Sequence, residues 1–498
     1  MTTQEYLKQI DEVNAKGPYR PEWDSLCGHE TPAWFKAAKF GIFIHFGVFT
    51  VPEAFNEWYP RHMYREDAPE HAHFREHYGD MKHFGYKDLI PLFTAPKFDP
   101  KEWLDLFTEA GARYMTPVAE HHDGFQMYDS ELSKWNCVKM GPHRDYLGEL
   151  KAEAEKRGVV FCASSHRAEH YWFMNGGRTF DSDVNDPAYD DFYGPAEYND
   201  NLKGVVPPFL YSVTIDSPRM REHCENWLAR TAELADKYRP SMVYFDWWIN
   251  NDAFRPYLKK FTAYYYNRAK EWGKEVTIAY KHNVFPLDAA TFDVERGQLK
   301  DIRLRPWETD TAIAVNSWCY TKNNEYKTAR SIVGDLVDIV SKNGCMMLNV
   351  GPRADGSIGE EDAKVLRDIG AWMKVNGEGI YGTSTWKTFG EGPTVIPEGQ
   401  FSDTMREDFT SKDIRYTCKG GTIYAFIMSA ADGIDGAELT ALAGGDFPGE
   451  AVKIGSATVL GHEDVAVSVR TEAGALRLTF GEKIVSEYPV CVRLRHAE

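Results

Sequence analysis

No stretch of the chain approaches the roughly 18 apolar residues that a membrane-crossing helix needs, so a membrane role is not expected. The start, Met1-Thr-Thr-Gln-Glu-Tyr6, has neither the basic cluster nor the apolar run of a secretory signal. Cysteine is present but unorganised: Cys27, Cys137, Cys162, Cys224, Cys319, Cys345, Cys418 and Cys491 show no CxxC and no regular spacing. Cys162, Cys345 and Cys491 sit in apolar runs, where a thiol behaves as a small hydrophobe. Reduced core cysteines favour a cytoplasmic setting, and a periplasmic or secreted one follows if a leader has been removed. Positive charge is in the minority, 57 Lys and Arg against 75 Asp and Glu, which argues against nucleic acid as a partner. No G-x-G-x-x-G follows a candidate strand, so a dinucleotide cofactor is not indicated, and no other cofactor is expected.

What is there is a large, aromatic, acidic chain of 498 residues with a net charge of −18. That length predicts two or three domains, and 43% hydrophobic residues suffice for a large core. The 14 Trp and 27 Tyr belong mostly to that core. Their pairing of an apolar face with a polar tip also suits a sugar ring. A homo-oligomer is compatible with all of this.

From Asp99 onward the pattern repeats as capped helix, glycine, apolar run, polar loop. Asp99-Pro-Lys-Glu102 opens a helix with Trp103, Phe107 and Ala110 on one face, and Gly111 and a strand from Tyr114 follow. Asp145 opens the next helix, and Ser217-Pro218 opens another that runs to Pro240 after a loop of about 40 residues. The apolar run Met242-Val-Tyr-Phe245 then meets Asp246, two tryptophans follow, and later runs end at Lys281, Glu295 and Asn349. Such continuous runs are strands buried on both faces. The array predicts a (β/α) barrel over residues 34–384, with a doubly wound sheet as the alternative. Residues 1–33 read as a polar, irregular extension packed on that barrel. Beyond residue 385 the period changes to two: Val465, Val467 and Val469, then a turn at residues 472–474, then Leu476, Leu478 and Phe480. This predicts an antiparallel β-sandwich over 385–498.

In a barrel, residues just after the strands converge on one face, and His45, His121, His122, His166, Asp246, Lys281 and Glu295 all hold such positions. A buried carboxylate is costly unless it is paired, so Asp246 either caps the next helix, pairs with an Arg, or does chemistry. Glycosidases of the retaining type need two carboxyls about 5–5.5 Å apart, one ionised and one with a raised pKa. Asp246 fits the first role, aimed by His121, His122 or Lys281. Glu295, Glu308 and Glu57 compete for the second, and spacing does not choose among them. A different reading takes His166-Arg-Ala-Glu169-His170 as the H-x-x-E-H of a zinc hydrolase, which needs a helix to put both His on one face. His121 and His122, being adjacent, are expected to point apart and to make a poor pair for one ion. A sugar-binding protein without turnover is the third reading.

Several segments resemble the α-L-fucosidases of glycoside hydrolase family 29. They are Lys39-Phe-Gly-Ile-Phe-Ile-His45-Phe-Gly with Asn56-Glu57-Trp58-Tyr59, then Glu120-His121-His122-Asp123-Gly124-Phe125, and Phe245-Asp246-Trp247. Trp307-Glu308-Thr309, Ser317-Trp318-Cys-Tyr320 and Leu348-Asn349-Val-Gly-Pro352 continue the series. The resemblance spans roughly residues 34–385. It implies a metal-free, retaining hydrolase that releases terminal α-L-fucose from fucosylated oligosaccharides or glycoconjugates, with Asp246 as nucleophile. It implies that His45, Glu57, Trp58, His121 and His122 hold the sugar; His166, Lys281 and Trp318 are expected beside them as further substrate-binding residues. By the same resemblance Glu295 is the acid/base and Glu308 the reserve. Where many members have Tyr-Tyr-Ser after the third strand this chain has Ala163-Ser-Ser-His166, and where many have Arg after the fifth it has Tyr280-Lys281-His282. Fucose carries a methyl group where galactose carries a hydroxymethyl, so an apolar wall from Trp58, Trp248 or Trp318 is expected, with weak α-L-galactosidase activity tolerated.

Overall fold

The computed structural model describes residues 1–197, 217–443, 452–472 and 474–496. The second part of the long loop predicted before Ser217, and the centre of the turn predicted at 472–474, lie outside the described residues.

Eight parallel staves close into a barrel. They are β1 (Phe40–Ile44), β2 (Tyr114–Glu120), the interrupted stave β3 (Val160–Phe161) plus β4 (Ala163–Ser165), β5 (Met242–Phe245), β6 (Thr277–Tyr280), β7 (Thr291–Asp293), β8 (Trp307–Ala312) and β9 (Gly344–Val350). Closure comes from β1, which pairs in parallel with both β2 and β9. The alternative of an open doubly wound sheet is thereby removed. Phe43, Tyr114, Cys162, Met242, Tyr244 and Met347 fill the interior, so the barrel is a packed core rather than a channel.

The helices begin where the sequence places caps. Asp99 accepts from Lys101 N at 2.8 Å ahead of the helix Pro100–Glu109. Asp145 accepts from Gly148 N at 3.0 Å ahead of Tyr146–Arg157, and Gly158 ends that helix in the left-handed conformation. Ser217 accepts from Met220 N at 3.0 Å ahead of Pro218–Tyr238. Between β6 and β7 and between β7 and β8 no helix intervenes among the described residues, so this side of the barrel is covered by loops.

The N-terminal stretch is not irregular. Thr3–Lys16 is a helix with a full capping box from Thr2 and Glu5. Its buried Tyr6, Ile10 and Asn14 recur every fourth residue, and it packs on the helices Pro218–Tyr238 and Arg255–Trp272. Three inward residues on an otherwise polar helix leave too thin a stripe to stand out in the sequence.

After the closing helix Glu360–Asn376 the strands turn antiparallel. In chain order they are β10 (Ser384–Glu391), β11 (Ile414–Lys419), β12 (Thr422–Ile427), β13 (Ala430–Leu439), β14 (Ile454–Val459), β15 (Val467–Glu472), β16 (Ala475–Ser486) and β17 (Val490–His496). One sheet has the order β10-β11-β12-β17-β14 and the other β13-β16-β15. Ile423, Ala425, Val492 and Leu494 from the first meet Leu476, Leu478 and Phe480 from the second in one core, which makes a sandwich. All eight cysteines are free thiols.

Candidate active site

The carboxyl ends of the staves enclose a cavity of about 330 Å³. Ten of the site residues expected from the sequence line it: Asp246, Glu295, His45, Glu57, Trp58, His121, His122, His166, Lys281 and Trp318.

Asp246 leaves β5 just as the chain enters the 3₁₀ turn Trp247–Asn250. Its Oδ1 lies 2.8 Å from Lys281 Nζ, which projects from the end of β6. On its other side Oδ2 faces His122 Nε2 at 3.2 Å and His166 Nδ1 at 3.3 Å. Burial alone would raise the pKa of Asp246, but the Lys281 ammonium and the two imidazoles hold it well below the usual carboxylate range. Asp246 is therefore an anion kept rigid from three directions.

Glu295 Oε2 shares the same ammonium at 2.8 Å. The two carboxyls thus lie no farther apart than two such contacts, yet their acidities diverge. Burial, opposed by Lys281 and helped by Asp310 and Asp246, lifts Glu295 to about 7. Two neighbouring carboxyls with opposed shifts are the signature of an acid and an anion assigned to different tasks.

Glu308, the reserve acid, lies elsewhere. It sits at the start of β8, is fully buried, does not line the cavity, and accepts a 2.5 Å hydrogen bond from Tyr114 OH inside the barrel. Burial raises it to about 8, but no reactant could reach it there.

The sugar-facing groups form a ring around the two carboxyls. Glu57 Oε2 accepts from Trp318 N at 2.9 Å and from Ser317 Oγ at 3.3 Å, which ties the β1 loop to the β8 loop. His45 Nδ1 meets Asn349 Oδ1 at 2.7 Å, and Asn349 Nδ2 donates to Trp318 O at 2.6 Å. Burial holds His45, His121 and His166 below the ordinary histidine range. As neutral rings each offers one donor and one acceptor, the complement of a hydroxyl. His121 Nδ1 is buried and without a hydrogen-bond partner. His122 differs: burial opposes its charge, but Glu169 and Asp246 outweigh it and lift it to about 9.

Three expectations need correction. His121 and His122 do not point apart, because β2 ends at Glu120 and the turn after it brings both rings to the cavity with centroids 4.4 Å apart. Trp248 is no part of the wall; it is 1% exposed and packs against Tyr171, Trp172 and Phe254, while Trp247 lines the cavity instead. The H-x-x-E-H segment is not assembled for an ion. His166 faces Asp246, Glu169 lies 3.0 Å from His122, and both ring nitrogens of His170 meet backbone carbonyls, of His122 at 2.7 Å and of Phe192 at 2.8 Å.

Two other trios, His45-His121-His166 and His122-His166-Asp246, do bring donor atoms within 4.8 Å of one another. At the second trio the Lys281 ammonium on Asp246 and the proton favoured on His122 put positive charge where a dication would sit.

Phe43, Trp247, His282, Asp310, Gln400 and Phe401 also line the cavity; the first three stand in segments noted in the sequence without a site role, and the last three in none. Phe43 and Asp310 lie within staves and carried no strand-end signal. Gln400 and Phe401 come from beyond β10, far from any motif.

The comparisons with known proteins agree with this geometry. The family described as alpha-L-fucosidase matches residues 6–378. The human plasma alpha-L-fucosidase is 30% identical over 405 residues, covering 78% of this chain and 77% of its own length. The bovine tissue alpha-L-fucosidase is 29% identical, covering 82% of this chain and 77% of itself. Among solved structures, the Thermotoga maritima alpha-fucosidase in complex with fucose is 26% identical with a TM-score of 0.70, covering 96% of this chain and 100% of that one. An alpha-fucosidase structure of the same organism holds a mechanism-based inhibitor. With the barrel, the sandwich and the cavity, these matches establish that the chain belongs to the α-L-fucosidases of glycoside hydrolase family 29 and is a glycoside hydrolase.

Proposed function

We propose that this α-L-fucosidase works with retention of configuration by double displacement, with Asp246 as nucleophile and Glu295 as acid/base. The observation that carries the reading is the shared Lys281 ammonium, 2.8 Å from each carboxyl, with Asp246 held anionic and Glu295 lifted to about 7. Contacts of that length agree with the roughly 5–5.5 Å spacing of retaining pairs, where no water fits between nucleophile and sugar.

In the first step an Asp246 oxygen bonds to the anomeric carbon of fucose as the bond from that carbon to the leaving oxygen breaks. Glu295 gives its proton to that oxygen. In the second step Glu295, now a carboxylate, takes a proton from water while the water oxygen bonds to the anomeric carbon and the ester bond to Asp246 breaks. Lys281 couples the two. The negative charge of Asp246 is one of the influences that raise Glu295. Esterification removes that charge and leaves the ammonium to Glu295, so the acid becomes more acidic just when a base is needed.

His45, His121, His122, His166 and Glu57 would take the fucose hydroxyls, and Trp58 and Trp318 its apolar face and methyl group. The fucose complex of the Thermotoga maritima relative supports fucose as the sugar. The positive charge beside Asp246, from Lys281 and His122, supports a reaction at that carboxylate without a metal ion. The test is proton NMR of the first fucose formed. Initial release of the α anomer is expected, and initial release of the β anomer would overturn double displacement.

A further inference from the structure

Most of the cavity belongs to the barrel, but one stretch of its rim comes from the C-terminal part. Gln400 and Phe401 lie beyond β10 and both line the cavity. Their segment is fastened to the loop that carries Glu295. Gly399 N donates to Gln298 O at 3.0 Å, Phe401 N to Glu295 O at 2.9 Å, and Asp403 N to Arg296 O at 2.9 Å. Held so firmly by its backbone, Phe401 is still 53% exposed where it lines the cavity.

That ring is disfavoured in two ways. A large apolar side chain stays in water, and its backbone lies in the left-handed region at φ +56, where a residue with a Cβ is strained. The strain is shared. His282, next to Lys281, has φ +60, and Arg296, next to Glu295, has φ +42. Gln400, the neighbour of Phe401, places its Nε2 3.4 Å from His282 Nδ1, so the two polar side chains meet at one edge of the cavity. Two of the strained residues, His282 and Phe401, line the cavity, and backbone strain held at a cavity wall marks a place shaped to hold something.

We propose that Phe401, with Gln400 and His282, forms the subsite for the leaving group, a hexopyranose linked to the terminal fucose. The apolar C–H face of that sugar stacks on the Phe401 ring, and its hydroxyls meet Gln400 and His282. The inference rests on Glu295 as the acid. An acid protonates the departing oxygen, so the leaving sugar must lie on the Glu295 side, and Phe401 N donates a hydrogen bond to the carbonyl oxygen of Glu295 itself. The barrel then reads fucose, and the C-terminal part reads what fucose is attached to.

The experiment compares wild type with Phe401→Ala on two kinds of substrate, α-L-fucosyl fluoride and a panel of fucosylated hexoses. The leaving group of the fluoride is a single atom that cannot reach Phe401. Phe401→Ala is expected to lower kcat/KM for the best-cleaved fucosyl hexose by roughly five- to tenfold, chiefly through KM, with the fluoride unchanged within about twofold. Phe401→Asn removes the ring but tolerates a left-handed backbone, so it must behave alike even if the Ala variant folds poorly. Equal losses on both substrates, no loss on the hexoses, or a wild type that cleaves the fluoride and none of the hexoses would overturn the subsite. An error in the Glu295 assignment shows separately, as equal damage by Glu295→Gln on fluoride and hexoses, and leaves the Phe401 ratio untouched.

Discussion

Lys281 Nζ stands 2.8 Å from Asp246 Oδ1, a lysine and a carboxylate both buried at the carboxyl end of the barrel. An ion pair in such surroundings is a poor source of stability, because desolvation offsets most of its attraction. Its value here is electrostatic control. The ammonium also touches Glu295, so one positive charge lowers the pKa of both carboxyls, and it lies 3.7 Å from Asp310.

Asp246→Ala should lower kcat by about 10⁴-fold or more, since no neighbour can form the same ester. Azide, small enough for the vacated space, should restore part of the turnover. Turnover near that of wild type, measured with p-nitrophenyl α-L-fucoside, would remove the nucleophile assignment.

Glu295→Ala should cost about 10²–10⁴-fold on natural glycosides and much less on aryl fucosides, whose leaving groups need no proton. The pH dependence follows from the same group. Glu295 must be protonated to act as acid, and its pKa is lifted to about 7, so kcat/KM should fall about tenfold per pH unit above that value. Asp246 must be ionised and is held low, so the acid limb should lie well below the ordinary carboxylate range. A profile rising beyond pH 8 would contradict both.

Most of this site was legible because it is built at strand ends. A buried apolar run that stops at a polar residue marks the place, and His45, Asp246 and Lys281 each follow one. The rest is hidden for geometric reasons. The 3₁₀ turn Trp247–Asn250 rotates successive side chains, so sequence alone does not say which of Trp247 and Trp248 faces the sugar. Asp310 lies in mid-stave among Thr309 and Thr311 and carries no signal. Phe401 reaches the cavity only through hydrogen bonds to the Glu295 loop, a long-range relationship that no local pattern records.

Lys281→Met should move both limbs of the pH profile upward, because the ammonium lowers the pKa of Asp246 and of Glu295 alike. Lys281→Arg keeps the charge and should keep the limbs near their wild-type positions, although its planar fork cannot reproduce a point contact to two carboxyls. Unchanged limbs in the Met variant would mean that Lys281 does not govern the pair.

Incubation with a chelator should leave hydrolysis of p-nitrophenyl α-L-fucoside unchanged, and added zinc should not raise it. His170→Phe tests the same point from within the H-x-x-E-H segment. His170 supports the backbone at His122 and Phe192, so its loss should lower thermal stability more than it lowers turnover per folded molecule. A rate that falls with chelation and returns with one metal would restore an ion to the mechanism.

The barrel and the sandwich are joined by a buried charge cluster that can be tested apart from catalysis. Asp338, on the helix Ala329–Ser341, accepts from Lys342 Nζ and from Arg415 Nε of β11, each at 2.5 Å, and is fully buried. Burial pushes its pKa up, but the two cations outweigh that and hold it below the ordinary range. Asp338 therefore contributes stability above its unfolded pKa and loses it as the pH falls through the lower folded value. Asp338→Ala would strand two buried cations, and a loss of about 3–5 kcal/mol is expected from denaturant unfolding. Arg415 reaches across from the sandwich, so the same variant should loosen the anchorage of the segment that carries Phe401. Its residual folded enzyme should then lose more activity on fucosylated hexoses than on the fluoride; equal loss on the two would show that the cluster holds the fold without steering the rim.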